Sequence, residues 1–140
     1  VDDFPPHTNP FQNPIRCFAV TRNEAYILTV SNDGHMRQWE ISSKELYHDY
    51  GLIHNEHVWW IAITPCNRWA FTVCSDGTMK QWEIPERCLG YDWGQIHQSW
   101  VECCAISRCG GFVYTGSGAG LLKKWGVKGR SLEKGNFLFF

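Results

Sequence analysis

Short runs of apolar and alternating residues recur along this chain in a fixed order. Residues 58–84 show it most plainly. Val58–Thr64 is almost wholly apolar, and Pro65-Cys66-Asn67-Arg68 is turn material. Trp69–Cys74 carries β-branched Thr72 and Val73, and Ser75-Asp76-Gly77 forms a second turn. Thr78–Ile84 then alternates, with Met79, Gln81 and Glu83 on one side and Lys80, Trp82 and Ile84 on the other. Alternating runs bounded by turn signals predict strands, and no segment sustains a helical period. Asp-Gly suits the positive φ of a tight hairpin. In the first strand, Trp60 and Ala62 are expected on one face and Trp59, Ile61 and Ile63 on the other. Leu89–Trp93 predicts a shorter, more polar fourth strand.

The same order precedes this stretch in Ile15–Ile41 and follows it in Val101–Val127. Trp39, Trp82 and Trp125 recur at an interval of 43 residues, as do Ile15, Val58 and Val101, Ala19, Ala62 and Ala105, and Thr29, Thr72 and Thr115. Asn32-Asp33-Gly34 and Gly118-Ala119-Gly120 are the matching hairpins, and Leu46–Tyr50 is the first copy's fourth strand. The nearly continuous apolar first strands predict burial on both faces, and the polar fourth strands predict an outer edge. Several short strands in a unit of about 40–45 residues are the pattern of a propeller blade. The expected fold is therefore all-β: three consecutive four-stranded antiparallel β-propeller blades, forming an open arc or part of a larger propeller. Residues 1–14, with Pro5, Pro6, Pro10 and Pro14, read as an irregular lead-in. Residues 15–57, 58–100 and 101–140 read as the three blades. Phe4–Phe11 falls one interval before Tyr47–His54, as the remnant of a preceding outer strand would.

The apolar first strand, the Thr64-Pro65 turn, the Asp-Gly hairpin and the Trp closing the third strand resemble the WD-repeat β-propeller family, over about residues 11–127. The resemblance implies a buried hydrogen-bond network made of a His before the first strand, the hairpin Asp, a second-strand Ser or Thr and the third-strand Trp. These roles fall on His54, Asp76, Thr72 and Trp82 in the middle blade. They fall on Asp33, Thr29 and Trp39 in the first blade and on His97, Thr115 and Trp125 in the third. A buried indole N–H needs an acceptor. A hydroxyl can supply one and pass its own proton to an imidazole, whose other nitrogen is expected to bond the Asp. Each bond contributes about 1 kcal/mol. The family's Gly-His pair is stretched here to Gly51-Leu52-Ile53-His54 and Gly94-Gln95-Ile96-His97. Phe11 stands at the first blade's His position and Ala119 at the third blade's Asp position. The closing pairs are Trp39-Glu40, Trp82-Glu83 and Trp125-Gly126, never Trp-Asp. Only the middle blade is expected to hold the full network.

Composition narrows the function classes. The chain has 140 residues, 15% of them aromatic with eight Trp, and a formal net charge of −1. No basic block gives the footprint of a nucleic-acid binder. No run approaches the roughly 18 apolar residues of a membrane span. The first residues lack the basic segment and apolar core of a signal peptide, and the missing Met suggests a trimmed or excised piece. Seven Cys is an odd count, so at least one thiol is unpaired. With no Asn-x-Ser/Thr acceptor, this points to a reducing, cytoplasmic setting.

Three blades cannot close a ring, since closed propellers have about four to eight. The ring is expected to be completed by the rest of a longer chain or by further copies, and a two-fold pair would give six blades. The apolar Asn136–Phe140 is expected to serve as a strand for a partner blade or as a cut edge.

Candidate chemistry is sparse. Cys17, Cys103 and Cys104 lie at apolar positions of first strands and read as small core residues. Cys66 and Cys109 occupy equivalent turn positions and read as exposed but inert. No Cys–His motif, paired Cys-x₂-Cys spacing or cofactor signature is present, so no catalytic site, metal or cofactor is expected. The aromatic excess is more informative. His57, Trp59 and Trp100 lie at or just before first strands, where the family resemblance implies the rim around a central channel. The aligned positions are Pro14, His57 and Trp100, then Arg16, Trp59 and Glu102. Large aromatics and Arg anchor interfaces. Arg16, His57, Trp59, Trp100 and Glu102 are therefore the candidate partner contacts of a non-catalytic protein-interaction scaffold, with protein partners and neither nucleic acid nor membrane. A lectin-like propeller that stacks a small ligand or sugar on its Trp residues is the alternative. A fragment with no function of its own is the other.

Overall fold

The computed structural model describes residues 14–132 and 137–138. Strands β1 (Ile15–Val20), β2 (Tyr26–Ser31), β3 (His35–Glu40) and β4 (Glu45–Leu52) pair in chain order as one sheet. Strands β5 (Val58–Ile63), β6 (Trp69–Cys74), β7 (Thr78–Glu83) and β8 (Cys88–Gln95) form the second. The third holds β9 (Val101–Ile106), β10 (Phe112–Ser117) and β11 (Leu121–Gly126). Both β12 (Ser131–Leu132) and β13 (Phe137–Leu138) pair with β11. All pairings are antiparallel. Strand β1 packs beside β5, and β5 beside β9, so the inner strands share an axis and the three blades form an open arc. The all-β, blade-by-blade architecture read from the repeat is the one observed.

The hairpin glycines are required by space as well as by φ. Gly77 has φ +87°, and a Cβ there would lie 2.2 Å from the His97 carbonyl oxygen.

The apolar core lies between blades, because each sheet has two faces and buries them against its neighbours. One cluster joins Leu28, Val30, Met36 and Ile53 of the first blade to Val58, Ile61, Ala70 and Trp82 of the second. The other joins Phe71, Val73, Met79 and Ile96 to Val101, Cys104, Val113 and Trp125 of the third.

Four expectations need correction. The first strands are not buried on both faces: Phe18 is 60% exposed, and Ile15 and Val20 are also exposed. They line the axis of an arc that does not close. The alternation expected for Val58–Thr64 also fails. A bulge skips Trp59, pairing Val58 with Cys74 and Trp60 with Val73. Val58 and Ile61 are both buried, and Trp59 and Trp60 are both exposed. The outer strands β4 and β8 run longer than Leu46–Tyr50 and Leu89–Trp93, because each absorbs two register shifts against the strand inside it. Finally, Phe137 and Leu138 pair with Leu122 and Leu121 of their own blade, so that part of Asn136–Phe140 is not held for a partner. Residues 136, 139 and 140 lie outside the described residues, as does the lead-in up to residue 13, including Phe4–Phe11.

Candidate functional site

Each inner strand carries its bulge at the same place. The skipped residues are Arg16 between Ile15 and Cys17, Trp59 between Val58 and Trp60, and Glu102 between Val101 and Cys103. A bulge adds an unpaired residue and re-aims its side chain. All three residues are exposed. The Arg16 guanidinium lies over the Trp59 ring, 5.1 Å from its centroid, and donates to Asn32 Oδ1 at 3.1 Å. Trp100 Nε1 donates to Glu102 Oε1 at 2.9 Å. The Trp100 ring rests on the β10–β11 hairpin, where a Cβ on Gly118 would come within 2.0 Å of it. Trp59 is 43% exposed and Trp100 48%, yet each has a fixed polar or cationic neighbour. His57 is exposed just before β5, and its carbonyl accepts from the Ser75 amide at 2.8 Å. With Asn32, Asp33 and Leu52 it lines a recess of about 120 Å³.

Beneath this rim lie the buried polar chains. In the second blade Trp82 Nε1 donates to Thr72 Oγ1 at 2.9 Å, and Thr72 Oγ1 lies 2.9 Å from His54 Nε2. His54 Nδ1 meets the Thr78 hydroxyl at 3.3 Å, and that hydroxyl donates to Asp76 Oδ1 at 2.5 Å. The direct imidazole–Asp bond expected from the sequence is thus replaced by a Thr78 relay. One direction of donation satisfies every member: indole to Thr72, Thr72 to Nε2, Nδ1–H to Thr78, Thr78 to Asp76. Burial, reinforced by the Lys80 ammonium, holds the His54 pKa down at about 4 despite Asp76 and Asp92, so the ring is neutral. Burial of the Asp76 carboxyl works against its charge. The Thr78 hydroxyl, the Cys74 thiol and the Thr78 amide outweigh it and keep the pKa below the usual carboxylate value.

The third blade repeats the first half of this chain. Trp125 Nε1 donates to Thr115 Oγ1 at 2.9 Å, and Thr115 Oγ1 lies 2.8 Å from His97 Nε2. Ala119 and Leu121 stand where Asp76 and Thr78 do, and neither side chain can extend the chain. Burial and Lys123 hold the His97 pKa at about 4. In the first blade Trp39 Nε1 donates to Thr29 Oγ1 at 3.0 Å. Asp33 accepts from the His35 amide at 3.1 Å and from Arg37 at 3.3 Å.

A second repeated device escaped the sequence reading. Tyr50 and Trp93 are skipped residues of β4 and β8. Tyr50 Oη donates to buried Gln38 Oε1 at 2.8 Å, and Trp93 Nε1 to buried Gln81 Oε1 at 3.0 Å. Each ring then stands edge-on to the next blade's Trp: Tyr50 to Trp82 at 5.8 Å and Trp93 to Trp125 at 5.7 Å. Gln38 and Gln81 recur at the 43-residue interval, an available signal, since a repeated polar residue on a buried face needs a repeated partner.

The seven cysteines are free thiols. Cys104 is buried and Cys17 half-buried, with Cys17 pushed up to about 11 by burial against the pull of Arg16. Cys103, read as a core residue, is exposed: the Glu102 bulge turns it out as the Trp59 bulge turns out Trp60. Among the described residues no group of three His, Cys, Asp or Glu side chains could hold a metal ion. No helix among them is long and apolar enough to cross a membrane.

The profile described as WD domain, G-beta repeat matches residues 1–40, 50–83 and 94–126. Two solved structures, described as "Structure of U3-55K" and "Crystal structure of RRP9 WD40 repeats", are similar to this chain with a TM-score of 0.85 and 20% identity. Each match covers 97% of this chain and 41% of the solved chain, so the present sequence spans well under half the length of those relatives. At that identity the likeness is one of fold. No curated protein sequence matches the chain.

Proposed function

Because this chain belongs to the WD-repeat family, we propose that it acts as a non-catalytic scaffold that binds a protein partner across the rim formed by the bulged ends of its inner strands. The observation that carries this reading is the coincident bulge, which turns Arg16, Trp59 and Glu102 outward at the same level of three adjacent blades. Arg16 braces Trp59, and Glu102 with Gly118 braces Trp100. Exposed aromatics held in one orientation lose little side-chain freedom on binding and so favour tight, specific contact. The rim's charges have both signs, which suits a mixed polypeptide surface better than a polyanion. His57 sits at its edge. The flanks of the first and third blades are completed by further blades, from the same chain or from a second copy.

Trp59→Ala and Trp100→Ala together test this reading. The double variant is expected to keep its melting temperature within a few degrees and to lose the partners that cross-linking and mass spectrometry recover with the parent protein. An unchanged partner set would remove the rim from consideration. Gly118→Ala, which displaces the Trp100 ring alone, is expected to weaken recovery without abolishing it.

A further inference from the structure

The turn after each inner strand has the same backbone in all three blades, with a left-handed residue at Glu24, Asn67 and Gly110. One position in that turn is built as a hydrogen-bond acceptor. In the first blade it is Asn23, whose Oδ1 accepts from the Thr21 hydroxyl at 2.7 Å and from the Ala25 amide at 3.1 Å. The residues 43 further on in each case are Cys66 and Cys109. Cys66 Sγ lies 3.3 Å from Thr64 Oγ1. Cys109 Sγ accepts from the Gly111 amide at 3.4 Å and lies 3.4 Å from Ser107 Oγ. A sulfur seated where a carboxamide oxygen collects donors is stabilised as the anion. The Thr64 hydroxyl, against slight burial and helped by the Arg68 amide, holds the Cys66 thiol below its ordinary pKa. The Ser107 hydroxyl and the Gly111 amide do the same for Cys109.

Both thiols are exposed, and both line one cleft of about 470 Å³ between the turns of the second and third blades. Arg68, Lys128 and Arg130 line it too, with Trp69 at one wall. Arg68 lies over the Trp69 ring at 4.9 Å and pairs with Glu83 at 3.1 Å. Arg130 reaches across to lie over Tyr91 at 4.5 Å. The equivalent cleft at the first junction, about 310 Å³, has no Lys or Arg in its lining. Its counterpart of Arg130 is Arg87, which bonds Tyr47 Oη at 2.9 Å.

We propose that Cys66 and Cys109 form a thiol-modification site, at which a small anionic disulfide of the glutathione class is drawn into the cationic cleft and exchanges to a mixed disulfide. This departs from the inert reading of these thiols. The cysteine first gives its proton to solvent. Its sulfur then attacks one sulfur of the disulfide. The new S–S bond forms as the old one breaks, and the departing thiolate leaves with the electron pair and is protonated by solvent. The protein sulfur is oxidised, the leaving sulfur is reduced, and no further oxidant is needed.

The test is timed incubation of the protein with glutathione disulfide at pH 7, acid quench and peptide mapping, with exposed Cys88, which does not line the cleft, as the internal reference. Cys66 and Cys109 are expected to acquire glutathione about tenfold faster than Cys88 at low salt, with the excess shrinking at high salt. The excess should also shrink when neutral hydroxyethyl disulfide replaces glutathione disulfide, and in the pair Lys128→Gln and Arg130→Gln. Cys66→Asn borrows the residue the first blade uses. It should therefore keep the turn and the melting temperature, and lose only its own label. Equal labelling of Cys88 would overturn the proposal. So would an equal excess with the neutral disulfide, or a Cys66–Cys109 disulfide as the first product.

Discussion

At the first junction Tyr50 stands edge-on to Trp82, and at the second Trp93 stands edge-on to Trp125, each ring tethered by a buried Gln or set on one by its own N–H. The polar chains behind those two tryptophans differ in length. Behind Trp82 the chain runs through Thr72, His54 and Thr78 to the carboxylate of Asp76. Behind Trp125 it passes Thr115 and reaches His97, with Leu121 and Ala119 beyond. The two blades thus share their apolar packing and differ in where the imidazole's second nitrogen is anchored. Packing therefore sets the blade, and the polar chain modulates how firmly each blade is fixed.

Trp82→Ala should expose the largest effect, because it empties the first junction and leaves Thr72 without its indole. A loss of about 3–5 kcal/mol is expected by urea unfolding. Trp125→Ala should cost less, since the third blade can loosen without the second. Equal losses would show that the two junctions unfold as one.

Acid should act next, and through both histidines. Each folded-state pKa is near 4, while an unfolded imidazole titrates near 6.5, so the unfolded chain binds more protons between those values. The stability tied to a neutral ring is fully present above about pH 6.5 and is lost as pH falls toward 4. His54→Gln should therefore remove roughly half of the acid sensitivity, on the order of 2–3 kcal/mol between pH 7 and 4.5. A variant with the parent's pH profile would show that His54 is not held neutral.

Smaller still is the contrast between the hairpin aspartates. Asp76→Ala strands Thr78 and unanchors His54, and should cost about 1–2 kcal/mol. Asp33→Ala removes a partly exposed pairing with Arg37, which also reaches Asp49 at 3.4 Å. It should cost about 0.5–1 kcal/mol. The ratio of the two melting shifts is the measurement.

The smallest effect is a gain. Ala119→Asp with Leu121→Thr copies the second blade's relay into the third and should add about 0.5–1 kcal/mol. No gain, or a loss, would mean that Leu121 contributes more by packing than a hydroxyl would by relaying.

Much of this molecule was legible before any coordinates. The 43-residue recurrence of Trp39, Trp82 and Trp125, the Asp-Gly hairpins and the turn-bounded alternating runs report local chemistry, and local chemistry decides strands and turns. Three in-phase copies then leave one economical way to bury the apolar faces, which is to stack them. The bulges were not legible. A strand of apolar residues does not reveal which one its neighbour will skip, and with Trp59 skipped both Trp59 and Trp60 stand at the surface of a strand expected to be buried on both faces. The Thr78 relay was hidden for a related reason: whether the imidazole meets the carboxylate directly or through a hydroxyl depends on where the hairpin sets Asp76 relative to His54, and the Thr78 hydroxyl bonds both. The meeting of Cys66 and Cys109 in one cationic cleft was hidden as well, because the residues that line it come from turns far apart in the chain. Periodicity is a property of one dimension and fixed the blades. Register, relay and cleft depend on distances between blades and strands, and only the packed structure sets those.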